Sequence, residues 1–287
     1  MAAALVATVS TATLAAGAGG SPVQAPPVDL LPDLDQQTPT ALRIANIPSA
    51  GRTQWVLGFQ SAVRNIGAGP LVIDGRRGSA NTPLMRGYQR ITRSDGSVRT
   101  IAGAGRLRYA ISPTHQHWHL LHFDRYELRR ADGGSVRIWD QKTGFCLGDR
   151  YRAIGVAVAA AKPDPTYLGA CGLKQPGRLS VEEGISPGYG DNYLPYLEGQ
   201  SLPLTGLKAG RYLLVHRTNS DHALAESDYG DNAASVLVDL RRRGQVPVVN
   251  ELAACPNSAT CSAGPLSASL ASAMDARPVP VNLSNQP

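Results

Sequence analysis

Short apolar runs that alternate with polar positions and end at Gly, Pro, Asn or Asp recur along the chain, and long uninterrupted helical patterns are absent. Gln54 to Asn65 alternates through Trp55, Leu57, Phe59, Ala62 and Val63, then turns at Gly67 to Pro70 into Leu71 to Ile73, which predicts two strands of a sheet. Phe123 to Arg130 and Ser135 to Trp139 flank Ala131, Asp132, Gly133 and Gly134, whose glycines permit the positive φ of a tight hairpin. Tyr212 to Arg217 and Ala234 to Leu240 predict two more strands on either side of a polar loop rich in Asp, Ser and Asn. With 30 Gly and 21 Pro spread throughout, the pattern predicts an all-β, β-sandwich-like domain with little helix and long loops, which in a compact domain are usually functional.

A chain of 287 residues with 43% hydrophobic content can bury one good core. Residues 2 to 18 are small or apolar and uncharged, and Val23, Gln24, Ala25 reads as a cleavage site, so 1–25 is expected to be a signal peptide, although no Lys or Arg precedes the apolar run. The main domain is expected over 26–241 and a C-terminal tail, partly disordered, over 242–287, where Ala, Ser, Pro and Asn dominate after a basic triplet. Nothing else runs to the ~18 apolar residues of a membrane span, so the mature protein is expected to be secreted, at the cell surface or periplasmic. Four cysteines in an exported chain favour disulfides, and Cys146 with Cys171 and Cys255 with Cys261 each close a short loop; free buried thiols are the alternative.

The net charge of +6 does not point to nucleic acid, because the basic residues are scattered and no basic stripe interleaved with aromatics is present. The balance reverses locally. Between Val181 and Asp239 nine acids face only Lys208, Arg211 and Arg217, and such a stretch attracts cations.

Four of the six histidines fall at 115, 117, 119 and 122. On an extended segment alternate positions share a face, repeating every ~6.6 to 6.8 Å, so His115, His117 and His119 can converge on one ion if the strand bends, while His122 has the wrong parity. Three neutral imidazoles suit Cu, Zn or Fe, and the missing carboxylate leans towards copper without excluding zinc. The bland reading is a strand with solvated histidines.

The triplet resembles the HxHxH copper element of the lysyl oxidase family, and two further segments extend the likeness. Lys142 to Asp149 is similar to the segment in which the family's cofactor lysine precedes Phe-Cys-Leu, here Phe145, Cys146 and Leu147. Ser186 to Tyr193 is similar to the Ser-Pro-Gly segment whose cofactor tyrosine lies five residues after the Gly, here Tyr193. Taken singly, Lys142 reads as a solvated charge and Tyr193 as a loop or core ring. The likeness runs from about Leu30 to Leu240; most of the animal family's cysteines are missing, Asp140 and Gln141 stand where a Gly-His pair is expected, and the insert between Lys142 and Tyr193 is longer.

What the resemblance implies is a Cu(II) enzyme that builds lysine tyrosylquinone from Lys142 and Tyr193. It would convert primary amines, such as lysyl side chains of an extracellular protein, to aldehydes with O2, releasing ammonia and hydrogen peroxide. Asp191, two residues before Tyr193, is the first candidate for the general base, with Asp124 and Asp228 also open. Glu226, Asp228 and Asn232, with an Asp-Leu near the domain start such as Asp29 and Leu30, resemble a family element that holds calcium, an ion that takes hard oxygen ligands. Two rivals remain: a non-catalytic extracellular β-sandwich that binds copper or calcium for adhesion or sequestration, and a different mononuclear oxidase or dioxygenase on the same histidines.

Overall fold

The computed structural model describes residues 25–49, 52–112, 116–135, 137–139, 144–195, 197 and 199–262. The residues expected to be a signal peptide lie outside them except for Ala25, as do His115 and Lys142. Within them the chain forms strands and loops only: β1 Asp29–Leu30, β2 Leu34–Gln36, β3 Thr40–Ser49, β4 Arg52–Asn65, β5 Leu71–Arg76 and β6 Leu84–Arg93. These are followed by β7 Val98–Tyr109, β8 Trp118–Leu121, β9 Asp124–Arg130, β10 Arg137–Trp139, β11 Gly144–Phe145 and β12 Tyr151–Arg152. The last six are β13 Ser180–Ile185, β14 Tyr189–Tyr193, β15 Ser201–Pro203, β16 Gly210–Thr218, β17 Ala233–Arg243 and β18 Val246–Cys255.

The strands make three antiparallel sheets. One runs β11-β8-β7-β6-β5-β13 with β1 on the edge of β6, a second runs β10-β9-β16-β17-β18, and the third is built on β4, which pairs with β2, β3, β14 and β15. The fold is all-β and sandwich-like, as the alternation predicts. Its core gathers the inward positions of all three sheets, among them Leu57 and Phe59 of β4, Trp118 of β8, Tyr126 and Leu128 of β9, Phe145 of β11 and Leu214 of β16. On β9 the apolar face carries Tyr126 and Leu128, and burying such side chains stabilises the fold by roughly 1.5–3 kcal/mol each.

The hairpin between β9 and β10 pairs Arg129 with Arg137, and Gly133 in its turn has φ +78°. β16 and β17 pair in register from Gly210 with Leu240 to Arg217 with Ala233, as two neighbouring strands should.

Two expectations need correction. The strands on either side of Gly67 to Pro70 do not pair; β4 stays in the third sheet and β5 enters the first, between β6 and β13. The crossing runs against the segment before β2. The fully buried Asn65 side chain fixes it by accepting from the amides of Asp33 (3.1 Å) and Gly67 (3.0 Å) and donating to the carbonyls of Gly69 (2.9 Å) and Ile185 (3.0 Å). A Cβ at Gly69 would stand 1.9 Å from the Leu30 carbonyl oxygen, so the approach requires glycine. The other correction concerns the tail, because Val246–Cys255 is a strand paired along β17 and only residues from 263 onward lie outside the described chain.

Gly69→Ala is therefore expected to lower unfolding free energy in urea by at least about 2 kcal/mol. Gly78→Ala, where an added Cβ meets nothing within 4 Å, should change it by no more than about 0.5 kcal/mol.

Candidate metal and tyrosine site

β8 opens at Trp118, between two of the predicted ligands. The Trp118 ring is fully buried, its amide donates to the Cys171 carbonyl (2.8 Å), and the Arg77 guanidinium lies 4.5 Å from its ring centroid. Flanked by that anchor, His117 is 2% exposed and His119 half-buried, and their Nε2 atoms stand 2.6 Å apart. Two neutral imidazoles at this distance either pass one proton between them or face a shared cation, so the pair is suited to hold a metal. His122 turns away: it is exposed, has φ +63°, and its Nδ1 accepts from Arg125 at 3.2 Å.

The next strand brings the tyrosine close. Gly144 of β11 lies against His119, with an added Cβ only 2.6 Å from the His119 Cβ. The adjacent Phe145 ring packs edge-on against Tyr193 at 5.0 Å between centroids. Tyr193, on β14, is paired with Ser61 of β4, and Ser61 Oγ donates to Asp124 at 2.6 Å. The Tyr193 hydroxyl oxygen is 2.9 Å from the Cys146 carbonyl and 3.1 Å from Asp191 Oδ2. A phenol has one hydrogen to donate, so both contacts are satisfied together when the phenol donates to Cys146 and a protonated Asp191 donates to the phenol.

Burial favours that protonated form. It pushes the Asp191 carboxyl up to about 7, against the partial counter-pull of Arg150, whose Nε is 3.8 Å away. Glu183, 1% exposed, is also driven well above the carboxylate range by burial, although its Oε2 accepts from the Leu147 amide at 3.2 Å. The Tyr193 phenol is raised too, first by burial and then by the Asp191 charge. Glu183 was not singled out from sequence, though period-two alternation along β13 puts it on one face with Val181 and Ile185. Arg150 carried no such signal.

Two disulfides are present, Cys146 to Cys171 and Cys255 to Cys261, the pairing expected from the short loops. His216, which sequence reasoning passed over, is a core ring between Phe59 (4.8 Å) and Tyr126 (4.4 Å), held neutral by burial.

The acidic elements meet at a second place. Glu226 accepts from the Leu34 amide (3.0 Å) and from the Asn219 (2.6 Å) and Asn232 side chains. Burial and then the neighbouring Asp228 and Asp35 carboxylates lift Asp33, and burial with the charges of Asp33, Asp35 and Asp228 lifts Asp231 to about 6. Buried Oδ1 atoms of Asp33, Asp231 and Asn232 have no hydrogen-bond partner among the described residues. Asp29 does not join this cluster; its carboxylate is taken by Arg93 and Arg99 of the first sheet. The Asp-Leu pair that does reach it is Asp33 with Leu34. Asp228 therefore sits here, whereas Asp191 touches the Tyr193 hydroxyl and Asp124 accepts from Ser61, the strand partner of Tyr193. Among the described residues no three His, Cys, Asp or Glu side chains already stand at the spacing of a closed metal site.

The all-β sandwich carries a close pair of histidines on one sheet and a part-buried tyrosine with a buried carboxylate on another, and comparison with known proteins gives the family. The lysyl oxidase family model matches residues 76–250, well over half of the chain, and the protein belongs to that family. It is 27% identical over 165 residues to protein-lysine 6-oxidase of Gallus gallus, covering 57% of this chain and 35% of that protein. Similar matches are lysyl oxidase homolog 1 of Homo sapiens (27%, 52% of this chain, 23% of the relative) and lysyl oxidase homolog 3B of Danio rerio (28%, 54% and 18%). The chain thus spans about a third or less of the length of these relatives.

With the folded Asp191 carboxyl raised above its unfolded value of 3.8, the native state binds the extra proton. That contribution to stability is full below about pH 4 and is lost as pH rises through about 7. Asp191→Asn should flatten the fall in unfolding free energy across this window relative to wild type, measured by urea titration at a series of pH values.

Proposed function

We propose that this chain is a copper-dependent amine oxidase in which His115, His117 and His119 hold the metal and Lys142 and Tyr193 form lysine tyrosylquinone. The observation that carries the reading is the approach of the His117 and His119 Nε2 atoms to 2.6 Å one strand away from the element against which Tyr193 packs. Lys142 is two residues before Gly144, a chain reach of at most about 7 Å from the residue that touches His119. Copper with O2 would supply the oxidation that makes the cofactor, and the cofactor the electron chemistry that takes a primary amine, O2 and water to aldehyde, ammonia and hydrogen peroxide.

The chain's own residues handle protons and access. Asp191 is placed to exchange a proton with the Tyr193 oxygen, and Arg150 steadies its charged form. With its carboxyl poised near neutrality, Asp191 can act as base or acid at working pH, and Asp124, reaching the ring through Ser61, is the second candidate. Phe145 packs edge-on against the tyrosine ring, and burial of the polar groups beside it keeps that side of the ring dry. Beside β8, a cavity of about 370 Å³ has Leu84, Leu121, Phe123 and Leu224 in its walls and Asp221 in its lining. Those walls suit an alkyl chain such as that of a lysyl side chain, and the lining carries both a carboxylate, Asp221, and a cation, Arg106. The paired disulfides fit a secreted or cell-surface protein; among the described residues no helix is long and apolar enough to cross a membrane.

Peptide mass spectrometry of copper-loaded, aerated protein should find the Lys142 and Tyr193 peptides joined with the mass change of quinone formation, and Tyr193→Phe should abolish the join. Separate peptides in protein shown to have bound copper would favour a non-catalytic metal-binding sandwich instead.

Calcium is assigned to the acidic cluster, with Asp33 in place of Asp29 beside Glu226, Asp228, Asp231 and Asn232. The unpartnered oxygens of Asp33, Asp231 and Asn232 are hard donors of the type calcium takes, and the ion would draw them together. Because burial lifts Glu226 to about 7 and Asp231 to about 6, protons compete with the ion as pH falls. About 1 mM calcium should raise the melting temperature near pH 8 and do so much less near pH 5, and Asp33→Asn should remove the effect. An equal rise in the variant would exclude this assignment.

A further inference from the structure

On the second sheet, a different sheet from those that carry the histidine strand and Tyr193, three arginines gather about one buried carboxylate. Glu127 of β9 is 1% exposed, and Arg137 Nε (2.7 Å), Arg217 Nη1 (2.8 Å) and Arg129 Nη1 (3.9 Å) surround it. Arg129 and Arg137 are direct cross-strand partners, an arrangement in which like charges repel. Arg130, the next residue, turns to the opposite face of the strand, over the buried Tyr212 ring, and pairs with Asp132 of the hairpin turn. Three guanidiniums against one carboxylate leave an excess of two positive charges.

The charge lines an open cleft of about 790 Å³ between the β9–β10 hairpin and the loop closed by Cys255 and Cys261. Arg129 and Arg137 line one side, and Ser258 and Thr260 the other. The two sides are held in place: Arg129 donates to the Ala259 carbonyl at 2.7 Å, and Ser235 Oγ donates to the Ser258 carbonyl at 2.8 Å. A single carboxylate satisfies part of each fork, while the Arg137 side chain keeps 53% of its surface open. Planar guanidiniums beside hydroxyl groups match a tetrahedral oxyanion, which accepts several charge-assisted hydrogen bonds at once.

We propose that this cleft binds a phosphate or sulfate ester carried on a larger anionic molecule, a site separate from the metal and tyrosine chemistry. A cleft of this size holds more than one free ion, so the group comes attached to a chain or ring. The binding does not depend on the amine oxidase reading. For an exported protein it would serve to hold the enzyme on an anionic polymer.

The test is isothermal titration calorimetry of the full chain with sodium phosphate, sodium sulfate, short-chain polyphosphate and dextran sulfate, at constant ionic strength set with sodium chloride. Saturable binding of at least one polymer, tighter than its inorganic ion, is expected, and the better of the two tells phosphate from sulfate as the source. Arg137→Gln should weaken it roughly ten-fold, the scale of one charge-assisted contact, and Arg86→Gln, an exposed arginine of the first sheet, should not. Should Arg137→Gln fail to fold, Arg137→Lys, which keeps the charge beside Glu127 but loses the planar fork, provides the same comparison. Absence of saturable binding above chloride, or equal weakening by Arg86→Gln, would overturn the site.

Discussion

The Cys146–Cys171 crosslink holds both halves of the candidate site, and the rest of its geometry depends on it. The Cys146 carbonyl accepts from the Tyr193 hydroxyl, and the Cys171 carbonyl accepts from the amide of Trp118, the residue between His117 and His119. One covalent bond therefore fixes the tyrosine oxygen and the start of the histidine strand relative to each other across a sequence separation of 25 residues. On the chain-entropy account a loop of that length contributes about 3 kcal/mol, though the larger effect here is positional. Without the bond the segment between the two cysteines, mostly loop, would still be tied by the buried Asp149 carboxylate, which accepts from the amides of Thr166 (2.7 Å), Tyr167 (3.0 Å) and Ser186 (2.7 Å), but nothing in that tie reaches Trp118.

Around that bond the fold accepts an electrostatic penalty. Asp191 and Glu183 are both buried near Tyr193, and among the described residues the cation beside them is Arg150, at 3.8 Å from Asp191. One guanidinium cannot neutralise two carboxylates in a dry site, so protons take up the remainder, which is why burial dominates the upward shift of each. Glu127 meets the opposite condition, one buried carboxylate among three arginines. The same sandwich thus holds a proton-rich pocket at one place and a cation-rich cleft at another, and in both the imbalance of buried charge sets what can bind.

How far the sequence could be read varied with the range of the interaction. Alternation within a strand is local, so the all-β class, the β9–β10 hairpin and the β16–β17 pair were legible. Which sheet a strand joins is not local: the turn after Asn65 looks like a hairpin, yet the Asn65 side chain and the contact of Gly69 with Leu30 send the chain into another sheet. The histidine spacing and Tyr193 were visible because their motifs are contiguous. Glu183, Arg150 and Asp33 were missed because each matters through a neighbour distant in sequence, as Asp33 does through Asp228 and Asp231. The three arginines about Glu127 come from three strands, and no linear motif records them.

The long strand β4 explains why the acidic cluster and the tyrosine are not independent. Ser61 sits opposite Tyr193 and binds Asp124, while four residues on, about 13 Å along a strand, Asn65 binds the Asp33 amide. Between them Arg64 pairs with Asp35 at 2.6 Å and also donates to the Ile154 carbonyl, joining β2 to the loop beyond β12. A cation that drew Asp33 and Asp231 together would bear on Asn65 and Arg64, and so on the register that places Ser61 under the tyrosine. The rigidity of one strand, set by pairing on both its edges, is what would let a cation bound at the acidic cluster stiffen the pocket around Tyr193.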